Sequence, residues 1–349
     1  AHVTTPRHTP TAQLLETTLP DMIVLDMLWD PVHKQLYALA FAGSGTNGNS
    51  LVGIDPETKG VVRKLQFDST PNHVDASDDF STLVISLGDR RKIAIVDVAT
   101  FTVTDEIEVG NVGDAAAYPG DVDFLPGSKD TFAVTLDTAA YERALAIYKA
   151  VVRLPSVVVS NPIQNPTALP DLVRFLSPTK LVGIDALGFG GLFEFNVSAS
   201  GVTYVDTTAD VISFSDPIQN DLAVDSGGQV WANSGRVFSA TTNATVGTLP
   251  TKGPIAIDES RGQVFQAGED AFYAYDKQTR AQIGSINFGE SARKRQMSLF
   301  GNGFAIARDF DLVFLTPPRC AGKEFTILGT STTITGTAGN DVIYGTDSN

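Results

Sequence analysis

Between His73 and Gly110 the chain alternates short apolar runs with polar or glycine-bearing turns: Val74–Ala76, Thr82–Leu87, Lys92–Val98 and Thr102–Val109. Runs of this length, rich in Val, Ile and Thr and bounded by Asp, Ser and Gly, predict the four strands of one antiparallel sheet. Such a sheet cannot cover its own two faces and needs copies of itself on either side.

The chain supplies those copies. An Asp-x-x-Thr signature follows an apolar run at Asp55–Thr58, Asp97–Thr100 and Asp276–Thr279. Its Asp carboxylate can accept backbone N–H bonds two residues on, and its Thr closes a hairpin turn. A short apolar run leading to Asp marks the first strand of a unit at Leu25-Asp26, Val74-Asp75, Val122-Asp123, Val224-Asp225 and Ile257-Asp258. Two further units keep the position without that Asp: Asp171–Phe175 ahead of Lys180–Ile184, and Met297–Phe300 ahead of Gly303–Ala307. Seven units at spacings of roughly 35–50 residues fit the blades of a propeller.

Within the third unit, Ala139–Val152 supports two readings, a strand hairpin or a helical insertion, because Ala, Glu, Arg, Leu and Lys are good helix formers. In the seventh, Arg308–Leu315 reads as the third strand and Pro317-Pro318 blocks a fourth. The isolated stretch at 12–19 is expected to fill that vacancy, removing a sheet edge and tying the two ends of the chain together. The expected fold is all-β: a seven-bladed β-propeller of four-stranded antiparallel blades over residues 12–318, with an arm at 1–11 and a tail at 319–349.

Composition narrows the partners. Hydrophobic residues at 42% and charged residues at 19% describe a core-forming chain. A formal charge of −15 argues against nucleic acid, whose phosphates need clustered Lys and Arg. No apolar run approaches the ~18 residues that span a bilayer. The start, AHVTTPRHTP, lacks a signal-peptide profile, so an exported protein would be seen here as its mature chain. The single cysteine, Cys320, excludes an internal disulfide and, in an exported chain, invites an intermolecular contact.

The Asp-x-x-Thr turns, the second strands LYALA and TLVISL and the apolar-Asp first strands resemble the YVTN/lactonase-like seven-bladed β-propellers over residues 12–316. That superfamily includes lactone hydrolases, lyases, surface antigens and binding scaffolds, so the resemblance implies a fold and leaves the activity open. The tail segment TILGTSTTITGTAGNDVIYGT resembles the opening of a hemolysin-type (RTX) calcium-binding repeat region, with Cys320-Ala321-Gly322-Lys323 ahead of it. The resemblance implies a structural calcium at Gly336, Gly339, Asn340 and Asp341, where turn carbonyls and a carboxylate offer hard oxygens. It also implies secretion by a bacterium to the medium or the cell surface. The preceding copy, Gly329–Thr332, lacks the Asn-Asp pair, so half of such a site is evident.

In a propeller the turns leading into each first strand crowd the channel mouth on one face, the usual binding place. Here they carry Asp21, Asn72, His73, Asp121, Asp171, Asn220, Asp221, Arg295 and Gln296. Converging acids suit a cation, or they satisfy turn N–H groups and touch no ligand. His73 is the histidine placed for chemistry, as a general base with Arg295 or Tyr118 near a developing oxyanion. The residue sets of the family's lyases and calcium lactonases do not map onto this chain, and no nucleophile elbow, phosphate loop or zinc spacing is present. The sequence therefore points to a secreted binding or interaction module, part of an extracellular assembly, for a protein or carbohydrate ligand and with calcium as structural ion. The alternative is a lactonase or polysaccharide lyase working through His73.

Overall fold

A computed structural model describes residues 15–139, 143–155, 170–185, 191–208, 221–242, 244–269, 271–287, 294–301 and 303–316, with short pieces of the tail at 319–320, 323–324, 327–328 and 343–344. The chain is a seven-bladed β-propeller. Blade 1 is Val24–Asp30, Gln35–Ala40, Ser50–Asp55 and Gly60–Gln66. Blade 2 is Val74–Ala76, Thr82–Leu87, Lys92–Asp97 and Thr102–Glu108. Blade 4 covers 172–208, blade 5 covers 222–248 and blade 6 covers 255–287, each four-stranded and antiparallel. The first strands lie innermost and touch in ring order, with blade 7 returning to blade 1.

Closure comes from the opposite terminus. Leu15–Pro20 pairs antiparallel with Asp311–Thr316, placing Thr17 opposite Phe314, beside Gly303–Arg308 and Lys294–Phe300. The third strand thus starts at Asp311, three residues later than Arg308, because Arg308 still belongs to the second strand.

The core is divided into seven apolar layers, one in each seam between adjacent blades. This explains why the middle strands are apolar at nearly every position. Successive side chains of a strand point to opposite faces, so Leu36 and Ala38 enter the blade 7–blade 1 seam while Tyr37 and Leu39 enter the blade 1–blade 2 seam. The same alternation sends Phe132 and Val134 one way and Ala133 the other.

Blade 3 settles the choice at Ala139–Val152. Arg143–Lys149 is a strand, because Ala144 to Tyr148 are buried between two seams and a helix would present only one face to either. This sheet has five strands: Asn111–Val112, Ala115–Phe124, Thr131–Thr138, Arg143–Lys149 and Val152–Arg153. Helical turns among the described residues are the 3-10 turns Gly45–Asn47 and Gly88–Arg90, and no helix is long and apolar enough to cross a membrane.

The Asp-x-x-Thr turns form as their chemistry requires. Asp97 and Asp276 each accept the N–H and the hydroxyl of the Thr three residues on, and Asp55 accepts the N–H of Glu57 at 2.8 Å. The next residue, Lys59, Phe101 or Arg280, is left-handed at φ 59, 55 and 61°. A register shift then follows between third and fourth strands at Gly53/Ile54, Ile95/Val96 and Ala274/Tyr275. Such bulges increase the twist of each blade's outer edge.

Phe314 shows what closure contributes. It is fully buried, lies 5.7 Å from the Phe300 ring and carries the Lys59 ammonium 5.0 Å above its centroid. Phe314→Ala should therefore cost about 3–5 kcal/mol, whereas Phe310→Ala, at a ring 74% exposed, should stay within about 0.5 kcal/mol. Urea unfolding of both variants measures the contrast, and equal midpoints would contradict the closure described.

Candidate functional site at the channel mouth

Innermost strands have no neighbour toward the axis, and carboxylates cross from blade to blade to bond their amides. Asp26 accepts the N–H of Val74 at 3.0 Å, Asp121 that of Val173 at 2.8 Å, and Asp221 that of Ile255 at 2.9 Å. In a second tier, Asp75 accepts from Phe124 and Asp123 from Phe175, both at 2.6 Å. The repeated apolar-Asp signature is largely this device. It is not uniform, because Asp225 and Asp258 serve the turns of their own blades: Asp225 accepts from Gly227, Gln229 and the Trp231 indole, and Asp258 from Ser260 and Arg261.

Blade 4 breaks the pattern in a useful way. Where blades 2 and 3 read Val74-Asp75 and Val122-Asp123, it reads Val173-Arg174. The Arg174 guanidinium lies 2.6 Å from Asp121 and 4.0 Å from Asp123, among the carboxylates that need a counter-charge. His73 is the second cationic group, its Nδ1 3.5 Å from both Asp26 and Asp121. The channel wall is enclosed by protein yet partly accessible, with the side chains of His73 27% and Arg174 28% exposed.

This crowding moves the titrations. Burial, only partly offset by the Phe124 amide and Arg174, pushes Asp75 up to about 6. Burial and then the charge of Asp75 hold Asp123 well above the usual carboxylate range, and burial raises Asp221. For His73 burial opposes the charge, but Asp26 and Asp121 outweigh it and the imidazolium is favoured. Arg174 is held protonated against its own burial by Asp121, Asp123, Asp75 and Asp221.

Above this layer opens a cavity of about 510 Å³. Of the residues expected at the mouth, Asn72, His73, Tyr118, Asp121, Asp171 and Gln296 line it. Asp221 sits in the stapled layer instead, Asp21 is exposed in a left-handed turn at φ 56° after the closing strand, and Arg295 is bound to Asp309 at 2.8 Å. Asn220 and the tail residues Gly336, Gly339, Asn340 and Asp341 lie outside the described residues.

Sequence reasoning missed Asp89 and Asp137, which also line the cavity. They sit where second strands turn toward third strands, and the single reversal between first and second strands brings those turns back to the end where first strands begin. That return was the available signal. Arg143 gathers the carboxylates there, reaching Asp137 at 2.9 Å, Asp171 at 2.9 Å and Asp185 at 3.1 Å.

No protein-family model matches this chain, and no curated protein matches it in sequence. Its chemistry is therefore read from the geometry. The stapling carboxylates face backbone amides and arginines, and among the described residues no group of three or more His, Cys, Asp or Glu is arranged to hold a metal ion. The two carboxylates beside His73 favour its imidazolium form. Arg295 is spent on Asp309 and does not join Tyr118.

The shifts fix a sign for stability. Unfolded Asp titrates near 4. Asp75 keeps its proton to about 6, so the native state binds more protons across that window and stability falls as pH rises through it. Asp123 and Asp221 act in the same sense, and the stabilisation from His73, complete below about 6.5, is lost as pH climbs through its raised native value. At the acid end Asp55, Asp97 and Asp276, lowered by hydrogen bonds in their own turns, lose their contribution as pH falls. Melting followed across pH should thus show a maximum near pH 5, roughly 2–5 °C above that at pH 8, with a shallower fall in Asp75→Asn. Arg174→Met should cost about 3–5 kcal/mol, more at pH 8 than at pH 5. A Tm that climbs from pH 5 to pH 8 would refute the assignment.

Proposed function

We propose that this chain is a binding module whose ligand seats in the channel-mouth cavity and donates hydrogen bonds to it, being neutral and hydroxyl-rich, as a carbohydrate is, or cationic. One observation carries the reading: the arginines around the mouth are committed to carboxylates, Arg143 to Asp137, Asp171 and Asp185, Arg174 to Asp121, and Arg295 to Asp309. Apart from the His73 imidazole, the wall that a ligand meets is then one of acceptors and amides, with Asp89 at the lip and Asn72 and Gln296 beside it. An anionic uronate would meet repulsion there. A neutral sugar would find planar acceptors, the Tyr118 ring and the apolar edges of Leu25 and Leu172.

The proposal takes the chain as an exported bacterial protein of the YVTN-like class with an RTX-type tail. Its support is the sequence resemblance, together with the parallel pairing of Ile327–Leu328 with Ile343–Tyr344, which brackets Gly336–Asp341. Stacked parallel strands are the arrangement that a β-roll requires. Calcium would be held by Gly336, Gly339, Asn340 and Asp341 and would tie successive turns together.

Calorimetric titration with neutral oligosaccharides, uronate-containing oligosaccharides and lysine-rich peptides tests the site. Binding of a neutral or cationic probe, lost at least tenfold in Gly88→Ala, supports it; a Cβ there would lie 2.4 Å from the Asn72 amide nitrogen and force that group, which lines the cavity, to shift. Uronate binding alone, or a response unchanged by Gly88→Ala, would overturn it. Separately, calcium added after chelation should raise β-sheet circular dichroism in the wild type and leave Asp341→Ala unchanged, and no calcium response would remove the tail from the proposal.

A further inference from the structure

We propose that His73 is a proton-operated clamp: its imidazolium ties the innermost strands of blades 1 and 3 together across blade 2, and loss of its proton releases them. The clamp is a property of the ring itself and is independent of the ligand proposed for the cavity.

The imidazole is held in position by its own backbone, because the His73 N–H donates to the Ser86 hydroxyl at 3.1 Å and its carbonyl accepts the Ser86 N–H at 3.0 Å. From there Nδ1 lies 3.5 Å from Asp26 Oδ2, on blade 1, and 3.5 Å from Asp121 Oδ1, on blade 3. Each of these carboxylates secures a seam. Asp26 holds the Val74 amide of blade 2, and Asp121 holds the Val173 amide and the Arg174 guanidinium of blade 4. One ring thereby bears on two staples in different seams.

The surrounding charges are consistent with a switch. Asp26 and Asp121 favour the proton, Arg174 from blade 4 opposes it, and Asp89, Asp137 and Asp171 face the same cavity. With 27% of the side chain exposed, the imidazole can exchange protons with solvent. Deprotonation leaves Asp26 and Asp121 without the charge between them, so both staples weaken together. The staple from Asp221 to Ile255 is made without a histidine and serves as an internal reference.

Histidine proton NMR and amide hydrogen exchange, corrected for intrinsic rates, test this on the full chain between pH 5.5 and 8.5. The chain has four histidines, so His73→Gln identifies the resonance by its loss. The His73 midpoint should lie above about 6.5 and fall by at least half a unit in Asp26→Asn. Protection of the Val74 and Val173 amides should drop about tenfold or more across that midpoint. In His73→Gln it should be low and without a step, while Ile255 is unaffected by the substitution. A midpoint at or below about 6.5 in the wild type would overturn the clamp even if the variant failed to fold. A step in Val74 and Val173 that persists in His73→Gln would do so equally.

Discussion

The propeller depends on one interaction repeated around its axis, a carboxylate of one blade accepting the backbone N–H of the next blade's innermost strand. A strand at the axis has a partner on its outer side only, and its inward amides would otherwise be left unpaired. Aspartate is short enough to reach across a seam without leaving it. Asp26, Asp75, Asp121, Asp123 and Asp221 do this between successive blades, while the apolar layers outside them supply most of the burial.

The solution creates a second problem. Acceptors that are also anions repel one another at close range, and a partly desolvated channel strengthens the repulsion. The molecule answers with Arg174 at a position where two other blades carry Asp, with His73 between Asp26 and Asp121, and with the carboxyls of Asp75 and Asp123 held above the usual carboxylate range. The floor of the mouth cavity is this same layer. Ring integrity, protonation and the environment of a ligand are consequently properties of one set of side chains.

Much of the ring was legible beforehand because its signals are local. The four strands of blade 2 appear within a residue of the expected boundaries, since hairpins need only short-range turn chemistry, and the Asp-x-x-Thr turns behave as their hydrogen-bonding capacity demands. Ala139–Val152 was ambiguous because helix propensity is also local, whereas burial on two faces, which decides for a strand, is conferred by neighbours distant in sequence. The mouth was half legible: first-strand turns pointed to Asn72, His73, Asp121, Asp171 and Gln296, but Asp89 and Asp137 arrive from other turns.

The chain by itself determined that there are seven sheets, that they are antiparallel, and that a strand from the amino-terminal end completes the last, because hydrophobic period and turn residues are written into each short segment. Only the tertiary structure decided what the aspartates do. Asp26, Asp75 and Asp123 bond neighbouring blades while Asp225 and Asp258 bond their own turns, and Arg174, a lone cation in sequence, and Arg295, the last of three consecutive basic residues, find different partners. The reason is physical: a carboxylate's role is set by whichever donor the closed ring brings within 3 Å of it, and that distance exists only after residues some fifty positions apart have met.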